Sequence, residues 1–354
     1  MSIADEQRVS ASGATTAQSA SQPDAYSPQV IRKLNDLTSD FYAREAASFS
    51  ATRQAPWHGW EKAWELITAP DAVQDPFPSH AAVRDSLSSH ATRIPDDYAS
   101  NSKDSLAVLD LGCGNLRFER FLAERANAPL RVTALDNCPD LASPEIGALS
   151  AAFPHSLRSS SAASKTKEED ASGQGANPPE KTIVDLRALD IVESLLDGTF
   201  ADRLPRNSHD LAVAFGLMHH LPTFALRARV LEGILGSLRP GGFAVVSFWQ
   251  FLNDPRLAAK AATVTAEGRA AHCLPTFHEN DFLLGWQHAE GVYRFCHHTP
   301  EDEIDALLAA IREPSAPSTS GCTPPAPLPF REIARFSADG KQENLNRYLI
   351  LQRL

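Results

Sequence analysis

The chain has no uninterrupted apolar run approaching the length of about 18 residues that a membrane span needs, so no membrane partner is expected. Its N-terminus lacks the basic start and apolar core of a secretory signal, and a cytoplasmic protein is the expectation. Cysteine is sparse and scattered. Cys113, Cys138, Cys273, Cys296 and Cys322 form no C-x-x-C pair, which argues against structural zinc and disulfides and suits reduced thiols. Positive charge is also short: 33 Lys and Arg face 44 Asp and Glu, a formal net charge of −11. Unaided binding to a phosphate backbone is therefore disfavoured, although segments outside the folded core carry part of that acidity. A third glycine is missing too. The stretch Gly112-Cys113-Gly114 is followed by Arg117 where a dinucleotide fingerprint G-x-G-x-x-G would close, so a pyrophosphate has no place to lie.

What is present points to one α/β domain. The 354 residues are 43% apolar, an ordinary globular value, and contain strand signals for a single sheet. Residues 1–27, rich in Ser, Ala, Thr and Gln, read as a disordered tail, and 28–354 as the domain. Within it, 155–181 and 314–329 read as flexible insertions. A helical preface is expected over Pro28–Asp40 and on to Pro56, then Trp57–Ile67. Short helices are expected near Ala81–Ser88 and Pro144–Phe153. Strands are expected at Leu106–Leu111, Arg131–Leu135, Thr182–Leu189, His209–Phe215 and Phe243–Phe248, with helices at Phe224–Leu238 and Ala258–Ala271. A further helix, capped by Thr299, should run to Ile311. Phe330–Ser337 and Asn346–Gln352, joined across Asp339-Gly340, read as an antiparallel hairpin.

The chain is organised around Leu106–Asn115, Leu-Ala-Val-Leu-Asp-Leu-Gly-Cys-Gly-Asn, a strand, a tight turn and then a helix. Gly112 and Gly114 let the backbone come close to a ligand at the helix N-terminus. Asp110, two residues before the turn, would repel phosphates and attract a cation. Asp136 ends the second strand 136 − 114 = 22 residues past Gly114, where a carboxylate can accept two hydrogen bonds from ribose hydroxyls. A cationic nucleoside such as S-adenosyl-L-methionine satisfies both. The plainer alternative is a sheet whose Gly-x-Gly is merely a turn.

Val108–Gly114 resembles the first motif of the class I S-adenosylmethionine-dependent methyltransferases, and Leu238-Arg-Pro-Gly-Gly-Phe243 resembles their turn before the fifth strand. The resemblance implies a Rossmann-like, doubly wound, mostly parallel seven-stranded sheet, with the C-terminal hairpin at its edge and the helical preface over the cofactor. It places Asp110, Gly112, Gly114, Asp136, Asn137, Phe215 and Leu217 at the cofactor, and Asp190 at the adenine amino group, where a helix N-cap is an equal reading.

A narrower resemblance rests on Phe49-Ser50-x-Thr52-Arg53 followed by Trp57, on Gly291-Val292-Tyr293-Arg294-Phe295, and on Asn346-Arg347-Tyr348-Leu349-Ile350-Leu351. These look like the transfer-RNA methyltransferases that esterify a carboxymethyl group on wobble uridine, which implies tRNA, and an activating protein subunit, as partners. A carboxylate acceptor is already ionised and needs a cation rather than a base, with Arg53, Arg294 and Arg347 as candidates. A hydroxyl or amine acceptor would need His219 or His220 at the fourth strand's tip. Tyr42, Trp57, Trp249 and Tyr293 complete the expected acceptor pocket. The pairs His219-His220 and His297-His298 lack the spacing of a ligand set, so no metal is expected. Two other readings stand beside this one: a small-molecule or protein methyltransferase on the same scaffold, and a non-catalytic cofactor-binding subunit.

Overall fold

The structure is a computed structural model that describes residues 26–68, 105–142, 157–159, 182–287, 289–313 and 328–354. The expected helices near Ala81–Ser88 and Pro144–Phe153 lie outside these residues, as do nearly all of the tail and most of the two insertions.

Pro28 at the first helical position and Ser27 at the cap start helix α1 (Pro28–Ala51), where the Ser27 hydroxyl accepts from the Val30 N–H. The preface is thus one helix of 24 residues, followed by α2 (His58–Thr68). The expected tail boundary moves by two residues, because Tyr26 is buried and its hydroxyl donates to Asp281 Oδ2 at 2.9 Å. Beyond the preface come β1 (Leu106–Leu111), α3 (Arg117–Arg125), β2 (Leu130–Asp136), β3 (Leu157–Ser159), β4 (Ile183–Ala188), α4 (Ile191–Leu196), α5 (Phe200–Arg203) and β5 (His209–Ala214). The chain continues through α6 (Phe224–Ser237), β6 (Leu238–Trp249), α7 (Pro255–Ala271), β7 (Asp281–Leu284), β8 (Arg294–His297), α8 (Glu301–Arg312), β9 (Phe330–Ala338) and β10 (Asn346–Arg353).

The main sheet runs β3-β4-β2-β1-β5-β6-β10-β9, parallel from β3 through β6 and antiparallel in β6-β10-β9. Its seven expected strands stand in a Rossmann-like, doubly wound order. The eighth, β3, is an edge strand inside the span read as a flexible insertion; only three residues long, it leaves no periodicity to detect. β1 is buried on both faces. Leu106 and Val108 meet α2 and α3, whereas Leu109 and Leu111 meet α1, α4 and α6, so each face of the sheet has its own helical layer. β1 pairs with β2 on one side and β5 on the other, and the chain order reverses there. That switch point is where open α/β sheets bind ligands.

Two elements depart from expectation. β7 and β8 form a separate two-stranded antiparallel sheet whose strands of four residues are too short to read from pattern. The cap of α8 is Pro300 rather than Thr299: Thr299 is fully buried, and its carbonyl accepts from Gln250 Nε2 at 3.0 Å. No described helix is long and apolar enough to cross a membrane.

Candidate active site

A cleft of about 730 Å³ opens at the C-terminal ends of β1, β2 and β5, beneath α1 and the α1–α2 connection. The glycine turn forms its floor. Gly112 and Gly114 have φ of 74° and 55°, in the left-handed region that favours glycine, and Leu116 (φ 55°) follows as the cap of α3. A side chain at position 112 would press within 3.3 Å of Leu217, which lies across the turn. Asp136 anchors the turn from β2: its Oδ2 accepts from the Gly114 N–H at 2.8 Å and its Oδ1 from the Cys138 N–H at 2.7 Å. Each carboxylate oxygen keeps a further lone pair for a ligand hydroxyl. Asp110 lines the same cleft, and its Oδ1 is fully buried, with the Glu119 carboxyl as its neighbour. Asn137 donates to Ser39 Oγ at 2.8 Å. Asp190 caps α4, with Oδ1 accepting from the Glu193 N–H at 2.9 Å and Oδ2 from Asn35 Nδ2 at 2.9 Å, while remaining on the cleft wall. Phe215 closes the floor among Trp57, Trp60 and Phe118.

The donor set fits a cationic nucleoside. The cleft offers two carboxyls beside the glycine turn, and Arg117 at the third-glycine position is turned away from the place of a phosphate. Its guanidinium donates to the Ala55 carbonyl at 2.9 Å and lies 4.9 Å from the Trp60 ring, its pKa lowered to about 10 by burial. Asn115 similarly donates to the Arg53 carbonyl, so the start of α3 straps the α1–α2 connection over the cleft.

The opposite wall is aromatic and cationic. Arg294, on β8, is 5% exposed and stands 4.5 Å from the Phe41 ring, with Phe49, Trp249 and Trp286 within 5.8 Å. Its Nε and Nη1 have no hydrogen-bond partner, and it forms no ion pair among the described residues. Arg53 lies 3.9 Å over Phe49 and 4.8 Å from Trp286, and among the described residues the one hydrogen bond of its guanidinium goes to the neighbouring Thr52 hydroxyl. Burial, then the Arg294 charge, lower its pKa to about 10. Two guanidiniums without a carboxylate in an aromatic wall form a receptor for an anion.

His219 and His220 both line the cleft, on the 3₁₀ turn Met218–His220 after β5. The Phe295 carbonyl, 2.7 Å away, can only accept, so His220 Nδ1 carries the proton and Nε2 accepts from the Tyr42 hydroxyl at 2.8 Å. Burial and the Arg294 charge drive the His220 pKa down to about 3. His219, edge-on to Trp249 with ring centroids 4.9 Å apart, is held well below its ordinary value by burial, and its Nδ1 has no partner among the described residues. Both rings are neutral near pH 7. A histidine depressed in the fold takes up its proton more readily when unfolded, so stability falls as pH drops from about 6.5 toward 3. Replacing His220 by Gln is expected to flatten this dependence by up to about 1.4 kcal/mol per pH unit between pH 4 and 6, read as the wild-type-minus-variant stability in urea melts.

Cys296 brings its sulfur within 4.8 Å of the donor nitrogens of these two histidines. The cluster is a poor metal cage: both His220 nitrogens are engaged, Arg294 stands beside it, and burial pushes the thiol up to about 11. His297 and His298 serve the fold. His297 lies between Asp281 (2.6 Å) and Glu303 (2.8 Å), and His298 Nδ1 accepts from the Leu252 N–H.

No family model matches the chain, and no curated protein matches it. Solved structures are similar to it. They include an S-adenosylmethionine-dependent methyltransferase from Methanosarcina mazei, at 16% identity over 71% of this chain and 93% of that one, TM-score 0.41. The 1,6-didemethyltoxoflavin-N1-methyltransferase of Burkholderia thailandensis, with bound 1,6-didemethyltoxoflavin and S-adenosylhomocysteine, is 16% identical over 70% and 71%, TM-score 0.37. The DhpI-SAM-HEP complex is 14% identical over 93% and 100%, TM-score 0.43. At these values the likeness concerns the fold, and the chemistry is read from the cleft.

All eight expected cofactor residues line or floor the cleft, as do Arg53, His219, Arg294, Tyr42, Trp57, His220 and Trp249. Tyr293 and Arg347 do not. Tyr293, the residue before β8, lies instead against Gly268 and the His272 ring. Arg347, on β10, pairs with Glu301 at 2.8 Å. The sequence reading omitted Phe49 and Trp286 as wall residues and Arg117 as the strap. Arg117 was visible as the missing third glycine, whereas Trp286, which donates to Ser48 Oγ at 3.1 Å, carries no local signal.

Proposed function

We propose that the chain is an S-adenosyl-L-methionine-dependent methyltransferase whose acceptor is a carboxylate, the leading candidate being a carboxymethyl group on a tRNA wobble uridine. The observation that carries the cofactor is the pair of Asp110 and Asp136 carboxyls that line the cleft on either side of the glycine turn at the switch point. When bound, the cofactor supplies an electrophilic methyl group on a sulfonium. Asp136 would orient the ribose and Asp110 would face the positive end, while the strap over Arg53, Gln54 and Ala55 limits water. Arg53 and Arg294 would hold the acceptor carboxylate by charge and direction, so that little beyond positioning is asked of the protein. Neutral His219 is a proton acceptor for a protic substrate but is not needed by a carboxylate.

The tRNA reading draws support from Arg53, Trp57 and Arg294. They belong to two separate segments that carry the narrower resemblance, yet they line one cleft. A second reading, a small planar acid, is favoured by the enclosing Phe49, Trp249 and Trp286 and by the net charge of −11. The decisive measurement gives the protein methyl-labelled cofactor with tRNA bearing carboxymethyluridine and, in parallel, with a panel of aryl carboxylic acids. Alkali-labile label in RNA supports the first reading, and label in the acids alone replaces it with the second. Cofactor binding without turnover in either, restored by cell extract, points to dependence on an activating subunit.

A further inference from the structure

Beneath the glycine turn lie two carboxyls with no cation between them. Asp110, near the end of β1, and Glu119, in the first turn of α3, are 2% and 1% exposed. Both Glu119 oxygens and Asp110 Oδ1 are fully buried, the two carboxyls hydrogen-bond each other and Glu119 its own backbone N–H, and neither residue forms an ion pair among the described residues. The groups facing the pair are Asp136 from β2 and the Cys113 thiol from the turn, which add negative or neutral character only. The nearby cation, Arg117, spends its guanidinium on Ala55 and on the Trp57 and Trp60 rings. Two carboxylates so placed in an apolar interior do not both ionise. Burial and their mutual repulsion raise Asp110 well above the carboxylate range, and burial raises Glu119 as well.

Of the two, Asp110 lines the cleft and Glu119 stands behind it. We infer that Glu119 is a hidden member of the cofactor site, forming with Asp110 a one-proton carboxyl pair that releases its proton to solvent when a cationic ligand reaches Asp110. This inference rests on reading the cleft as an S-adenosylmethionine site. In the step, the O–H bond of the pair breaks and a buffer base takes the proton. The pair thereby gains one negative charge opposite the ligand's positive charge. A neutral nucleoside would leave the proton in place, so the pair acts as a filter for cations.

The test is calorimetry of the intact protein at pH 7 in buffers of different ionisation enthalpy, with S-adenosylmethionine and with 5′-methylthioadenosine, which lacks the amino-acid part and the positive sulfur. The expected result is an observed enthalpy that varies with buffer for S-adenosylmethionine, corresponding to about one proton released, and is flat for methylthioadenosine. Glu119→Gln, which keeps the shape and removes the second ionisable group, is expected to cut the released proton by more than about half. A Glu119 with a merely structural role would leave the proton count unchanged. Buffer-independent binding of S-adenosylmethionine, equal release with both ligands, or an unchanged count in Glu119→Gln overturns the inference. Should that variant not fold, the wild-type comparison of the two ligands decides alone. Absence of any binding heat with S-adenosylmethionine instead overturns the cofactor reading, and is distinguished by having no isotherm at all.

Discussion

Arg294→Met is expected to give a protein that is more stable than the wild type and nearly inactive. The guanidinium is buried without a carboxylate, and ring faces and the neighbouring Cys296 thiol offset its desolvation. Removing a buried charge from water costs several kcal/mol, whereas cation–π contacts return about 0.5–2 kcal/mol each. Methionine fills a similar volume and packs well against aromatic rings, so a gain of about 1–2 kcal/mol and a melting temperature higher by a few degrees are expected. Activity should move the other way. Losing a desolvated charge that pairs with the acceptor costs about 2–5 kcal/mol, or between about 30- and 5,000-fold in kcat/KM for the acceptor. Affinity for S-adenosylmethionine, held on the opposite wall, should be unchanged. Thermal melts, calorimetry and initial rates on one preparation check all three, and a less stable variant with wild-type turnover would sink the proposed anion receptor.

Asp136→Ala is expected to have the largest effect on the cofactor. Two charge-assisted hydrogen bonds to ribose hydroxyls are worth about 1.5–3 kcal/mol each, so their loss weakens binding by roughly 10²- to 10⁴-fold. The carboxylate also accepts from the Gly114 and Cys138 N–H groups, and the alanine variant leaves both donors without that partner. A fall in stability of about 1–3 kcal/mol should accompany the loss of binding. Asp136→Asn separates the two effects, since its single amide oxygen can satisfy one backbone donor while its NH₂ opposes the other. It should therefore recover part of the stability and little of the affinity. Calorimetric titration beside a urea melt for each variant is the check, and wild-type affinity in Asp136→Ala would remove Asp136 from the cofactor site.

Where local chemistry dictates structure, the sequence was sufficient. The alternation and apolar runs of β1, β2, β4, β5 and β6, and the hairpin of β9 and β10, follow from burial on one or both faces, which leaves a pattern in neighbouring residues. Gly112, Gly114, Asp110 and Asp136 were legible because a tight turn with one carboxylate before it and another at the next strand's end has few other uses. Four-residue strands such as β7 and β8 are shorter than the window in which periodicity can be recognised. Thr299 had every local mark of an N-cap, yet its burial and its carbonyl's bond to Gln250 outweighed that preference.

The opposite wall of the cleft belongs to tertiary structure. Arg53 and Arg294 are 241 residues apart (294 − 53), and nothing in either segment says that they share Phe49 and Trp286 or that both lack an acidic partner. Tyr293 and Arg347 looked equally suitable in sequence, but the fold sets Tyr293 against the His272 ring and pairs Arg347 with Glu301, outside the cleft lining. His220 could have been a base until the Phe295 carbonyl set its tautomer and Tyr42 occupied its other nitrogen. By itself, then, the sequence determined the sheet, the glycine turn and the two carboxylates beside it, because each is set by residues close along the chain. Only the folded structure decided which arginines line the cleft and that Glu119 lies behind Asp110, because burial and pairing depend on groups that the chain brings together from far apart.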